Sequence, residues 1–202
     1  MSDGPEQFDV RRARPEDAAA IATVQEVALG DKFRAAYGRA TARVLAALAR
    51  HDLRHPGERH FVATMDGAVV GAVHLALDQQ PDPGFPDRVA TEAGWLCATR
   101  AVVVLSALAH GRLESDEAYV QSLGVLPRAR RQGVATALLA ECEEEARRAG
   151  RRRVTLWVTG DNLAATALYE GRGYRVRRRR RSIRARLLLK VTSTLLMEKA
   201  LV

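Results

Sequence analysis

Residues 119–149 restrict the fold more than any other stretch. Tyr119-Val120-Gln121-Ser122-Leu123-Gly124-Val125 is an apolar run that reads as a buried strand. Leu126-Pro127 ends it, because proline cannot donate to a sheet ladder. After Arg130-Arg131-Gln132-Gly133-Val134-Ala135, Val134, Leu138, Cys142 and Ala146 recur at helical spacing, while Glu141, Glu143, Glu144 and Glu145 fill much of the other face. Arg147 and Arg148 suit the last turn and Gly150 the cap. The pattern is strand, small-residue turn, helix.

Such a turn suits a phosphorylated ligand. The first amides of a helix lack partners inside it, and the helix dipole adds partial positive charge there. Gly133 admits an anion close to the backbone, Ala135 keeps the next turn thin, and Arg130 and Arg131 add full charges. No Gly-Lys-Ser/Thr or three-glycine pattern is present, which excludes a P-loop and a dinucleotide fingerprint.

Leu123-Gly124-Val125 followed by Arg130-x-x-Gly133-x-Ala135 resembles the acyl-CoA motif of the GCN5-related N-acetyltransferase (GNAT) superfamily. A second block follows in the same order: the strand Val154-Thr155-Leu156-Trp157-Val158, then Asn162, Ala165, Leu168-Tyr169-Glu170 and Gly173-Tyr174. The resemblance spans residues 8–201 and is specific between 119 and 174. It implies an α/β (α+β) fold, a mixed central sheet flanked by helices and splayed between the central and following strands. It also implies direct acetyl transfer from acetyl-CoA, the cosubstrate, to an amine on a small molecule or peptide. In that scheme backbone groups of Leu123, Gly124 and Val125 hold the pantetheine arm, and an amide at Val125 polarises the thioester. Arg130, Arg131, Gln132, Gly133, Val134 and Ala135 take the pyrophosphate. Asn162 bonds the pantetheine, fixes the loop after the second strand, or simply caps a turn or helix, and Tyr169 protonates the departing thiolate.

The general base departs from the family pattern. The better-understood members often carry a glutamate or histidine where this chain has Tyr119 or Gln121, or a glutamate where it has Trp157. Glu117 shares strand parity with Tyr119 and Gln121, and acts through water or is simply solvated at the start of the strand. The substitution at Trp157 argues against the ribosomal-protein branch.

With 202 residues and 47% hydrophobic content, one globular domain over 1–202 is expected. Cys97 and Cys142 sit in apolar helical patterns and read as reduced, buried thiols; no metal-ligand spacing links Cys and His, so no metal is expected. The first residues lack a signal-peptide pattern, and the apolar run near Trp95, interrupted by Arg100, is too short to span a bilayer. A cytoplasmic protein is the expectation.

Earlier in the chain, a strand over 8–13 precedes two helices, the second over 33–50. Asp31, Arg34, Tyr37 and Arg39 are acceptor-side candidates by resemblance. Asp66-Gly67 joins two apolar runs as a hairpin, with His74 packed or solvent-facing on its second strand. Residues 79–85 form a loop, and 88–110 read as a helical insertion that covers the acceptor cleft, packs, or makes a homodimer contact. Near the end, Arg175, Arg177–181, Arg184 and Arg186 form a basic tract, and Leu195-Leu196-Met197 reads as a last strand. The tract is either an edge strand protected by charge or a patch for an acidic partner. With a net charge of +8, nucleic acid is one such partner. A CoA-binding sensor without turnover is the remaining alternative.

Overall fold

The computed structural model describes residues 8–55, 58–78, 83–106, 114–181 and 191–201. Its centre is a seven-stranded sheet built from β1 (Asp9–Arg12), β2 (Glu58–Met65), β3 (Ala68–Ala76), β4 (Glu117–Val125), β5 (Arg153–Thr159), β6 (Arg175–Arg180) and β7 (Thr194–Ala200). The spatial order is β1-β2-β3-β4-β5-β7-β6. Only β4 and β5 pair in parallel; every other neighbouring pair is antiparallel. The expected hairpin forms with Asp66 and Gly67 at its turn, both at positive φ.

Helices α1 (Ala18–Tyr37) and α2 (Thr41–Asp52) cover one face. Ala18, Ile21 and Val24 of α1 and Ala49 of α2 bury against Val62 and Ala72. The second helix begins later than the sequence suggests. Helix α1 runs on through a kink at Leu29, and the true break is at Gly38, which takes positive φ. Helices α5 (Val134–Arg148) and α6 (Leu163–Gly171) cover the opposite face, where Leu138, Leu139, Cys142 and Tyr169 join the main core.

The insertion is two helices rather than one, α3 (Phe85–Ala93) and α4 (Trp95–Ser106), with residues 107–110 outside the described set. Gly94 at φ +81 separates them, which the apolar periodicity running through it conceals. Pro86 sits in the first turn of α3, where a missing amide costs nothing. Both helices pack on α1 and α2 rather than on the sheet: Val89, Ala98, Ala101 and Val104 bury against Phe33, Ala36, Tyr37, Val44 and Leu45. Arg100, which breaks the apolar run, donates its Nε to the carbonyl of Ala36 at 2.9 Å. It caps the end of α1.

The acidic face of α5 is not simply solvated. Glu145 accepts from Arg59 Nε at 2.7 Å, tying the helix to β2. Glu143 is 2% exposed and meets both Arg172 and Lys199 at 2.7 Å, so one carboxylate fastens α5 to the end of α6 and to β7. Replacing Glu143 by glutamine leaves two cations without a counter-charge at a largely buried point. The expected loss is about 2–3 kcal/mol, reduced from the fully buried case because both cations keep some water contact. Denaturant midpoints measure it, and a shift worth under about 0.5 kcal/mol, the range of ordinary surface changes, contradicts this reading.

Strand β6 is the basic tract, exposed along its whole length at one edge of the sheet. This is the charged edge expected from sequence. Arg177 bonds Glu198 at 2.9 Å and lies 3.6 Å from Glu114, so part of the charge is neutralised within the chain. Arg184, Arg186 and Leu187 to Leu189 lie outside the described residues. Among the described residues no helix is long and apolar enough to cross a membrane.

Candidate functional site

The site forms where β4 and β5 part. Their parallel register runs from Glu117↔Arg153 to Val120↔Leu156 and stops there, although β4 continues to Val125 and β5 to Thr159. A bulge accompanies the split. His74 of β3 pairs with Ser122 but the next residue, Leu75, pairs with Val120, so Gln121 is left over. A bulge bends its strand and increases the local twist.

Beyond the bulge, the Leu126 amide donates to Val70 on the β3 side at 2.8 Å. Peptide groups alternate along a strand, so the amides of Leu123 and Val125 turn to the opposite edge, which has no ladder partner among the described residues. Gly124 faces α1, where a Cβ would stand 2.8 Å from that of Ala28; only glycine lets the helix lie this close. The Val125 carbonyl is already engaged, accepting from Arg130 Nε at 3.1 Å. Arg130 therefore clasps the mouth of the split as well as supplying charge.

The turn into α5 curls through two left-handed positions, Arg131 at φ +66 and Gly133 at φ +85. Such alternation can gather backbone amides into an anion-binding nest. Gly133 caps α5 without a side chain, so the first-turn amides receive no bond from the cap. A Cβ on Gly133 would meet nothing within 4 Å, so the glycine is required by its backbone conformation rather than by crowding. Gln132 Nε2 donates to the Arg128 carbonyl at 3.2 Å and steadies the turn. Val134 is buried and Ala135 packs against the core, which fixes the start of the helix.

Tyr169 projects from α6 into the main core, 8% exposed, its ring 5.9 Å from that of Tyr174. Burial pushes its phenol up to about 12. Tyr119, in the last but one paired row of β4, is raised too, by burial and then by Tyr169 and Glu117 nearby. Tyr169 thus lies close enough to Tyr119 to act on it electrostatically, a relation that residue spacing alone does not reveal.

Of two site candidates, one takes the cap offered for it and the other is not solvated. Asn162 Oδ1 accepts from the Ala165 amide at 3.1 Å, so the side chain caps α6. Glu117 is 6% exposed and not solvated. It accepts from the Thr155 hydroxyl and from the Glu114 amide, at the paired end of β4. Six residues separate it from Leu123, about 20 Å of extended chain. In this structure it joins β4 to β5 at the paired end of the fork. Its acidity as a sequence feature carried no sign of the partner Thr155.

Of the acceptor-side candidates, Tyr37 is buried and stacks on Phe33 at 6.1 Å, while Asp31 and Arg34 pair at 3.1 Å on the surface and Arg39 is exposed. Cys142 is buried and Cys97 half-buried, both free. His74 is packed, not solvent-facing. No metal set was legible from spacing, yet Asp52, His60 and His74 bring ligand atoms within 4.8 Å of one another.

No curated protein is matched by the sequence. Solved structures match over almost the whole chain. An acetyltransferase of the GNAT family from Streptococcus pneumoniae superposes with a TM-score of 0.62 at 19% identity, covering 97% of this chain and 100% of that one. The ribosomal-protein-S18-alanine N-acetyltransferase from Escherichia coli gives 0.59 at 17%, over 96% and 94% of the two chains. The PaiA N-acetyltransferase from Thermoplasma acidophilum, solved with coenzyme A, gives 0.62 at 13%, over 96% and 99%. These likenesses establish the fold. The model of the acetyltransferase (GNAT) family matches residues 26–174, well over half of the sequence, and the chain belongs to that family.

Proposed function

We propose that this chain transfers an acetyl group from acetyl-CoA to an amine on a small molecule or peptide, without a covalent enzyme intermediate. The observation that carries the reading is the unpaired edge of β4 beyond Val120↔Leu156, which leads directly into the nest at the start of α5. An extended pantetheine arm fits that edge as a strand does, with the amides of Leu123 and Val125 as donors. The Arg131–Gly133 turn and the first amides of α5 suit the pyrophosphate, with Arg130 and Arg131 adding charge.

In the reaction the amine nitrogen bonds to the acetyl carbon, the carbon–sulfur bond breaks, and its electron pair stays on sulfur. The Tyr169 hydroxyl gives its proton to that thiolate, and the proton released by the amine passes to water and restores the phenol. Tyr169 fits because its pKa of about 12 keeps it protonated at neutral pH. The Val125 amide, aimed at the open edge, stabilises negative charge developing on the carbonyl oxygen. Asn162 holds the start of α6, and with it the orientation of Tyr169.

Thiol release from acetyl-CoA, measured against a panel of polyamines, amino sugars and peptides with free N-termini, tests turnover. Release that depends on an amine is expected. A folded chain that binds acetyl-CoA yet releases no thiol with any amine class supports the silent-sensor alternative instead.

A further inference from the structure

A second buried cluster lies across β2 and β3, beside the end of α2. Asp52 ends α2, His60 lies on β2, and His74 stands directly across from it on β3. Their ligand atoms lie within 4.8 Å of one another. The two imidazole rings are stacked, 4.1 Å between centroids and 8° apart. Glu58 contacts Nε2 of His74 and brings a second carboxylate to the edge of the group.

His60 is the informative member. It is 4% exposed, and its Nε2 is buried without a hydrogen-bond partner among the described residues, 4.0 Å from an oxygen of Asp52. A buried polar atom left unpaired costs about 1–3 kcal/mol, so a group in this state calls for an explanation.

We infer that Asp52, His60 and His74 form a site for a divalent zinc-type cation, with Glu58 orienting the His74 ring through its contact to Nε2. Two imidazoles and one carboxylate suit Zn²⁺ and leave its fourth position to water. Bonds of about 2.0–2.2 Å set tetrahedral donors about 3.3–3.6 Å apart, so the cluster closes by about 1 Å as one imidazole turns out of the stack. The carbonyl end of α2 also favours positive charge at this point. Arg88 and His55 lie close enough to act on Asp52, so direct bonds rather than the general field must hold the ion. Bound there, it pins the end of α2 to the β2–β3 hairpin. The site stands independently of acetyl transfer.

The test uses the tag-free full chain, stripped with chelator and titrated with zinc chloride by calorimetry, with cobalt(II) as a spectroscopic probe. One Zn²⁺ per chain, intense visible bands typical of tetrahedral cobalt, and a Tm raised by zinc and lowered again by chelator are expected. Asp52→Asn, at a half-exposed helix end, is checked for folding by circular dichroism and loses affinity by about 100-fold or more, beyond the 10–100-fold of outer-shell changes. His60→Gln loses it similarly. No zinc binding by the folded native chain, or binding unchanged in Asp52→Asn, overturns the site.

Discussion

Replacing Tyr169 by phenylalanine lowers kcat by about 10²–10⁴-fold, the value of a positioned general acid. That loss is about 3–5 kcal/mol of transition-state stabilisation. The affinity for acetyl-CoA changes little, because the removed hydroxyl acts on the sulfur only as it leaves. The fold tolerates the change, since the ring that packs near Tyr174 is retained. The same assignment fixes a sign in the pH profile. An acid is active while protonated, so Tyr169 supplies no falling limb until the pH rises towards its pKa of about 12. A variant as active as the native chain, or one that loses CoA binding in step with turnover, removes the acid role.

Replacing Gly133 by glutamate abolishes acetyl-CoA binding. Two effects act together. The residue holds φ at +85, where a side chain is strained by roughly 1 kcal/mol or more. It also brings a carboxylate to the mouth of the nest and sets it against a pyrophosphate. Gly133→Ala separates the two, because it carries the strain without the charge; it weakens binding modestly and keeps turnover measurable. Glutamate binding as well as alanine at this position contradicts the placement of the pyrophosphate.

Local features of this fold are legible in the sequence, and features made by distant partners are not. The strand ending at Val125, the turn through Gly133 and the helix after it follow from apolar spacing and from a proline and a glycine at their boundaries. The Asp66-Gly67 hairpin and the charged edge strand from Arg175 are equally local. By contrast, Gly94 lies inside a continuous apolar periodicity, so a two-helix insertion reads as one. Glu117 and Glu143 look like surface acids because their partners, Thr155 on one side and Arg172 and Lys199 on the other, are far along the chain. Asn162 offers several uses in sequence, and the structure shows the cap. The histidine cluster draws on a helix end and two strands, so no spacing rule could assemble it. The leftover Gln121 is legible only once β3 and β4 are in register.

The unpaired edge of β4 is the centre of this account, and calorimetric titration of the native chain with acetyl-CoA and with CoA tests it most directly. One molecule bound per chain, with affinity retained in Tyr169→Phe and lost in Gly133→Glu, is the predicted result. A folded chain that binds neither compound contradicts it, and reduces the turn at Gly133 to an ordinary start of a helix.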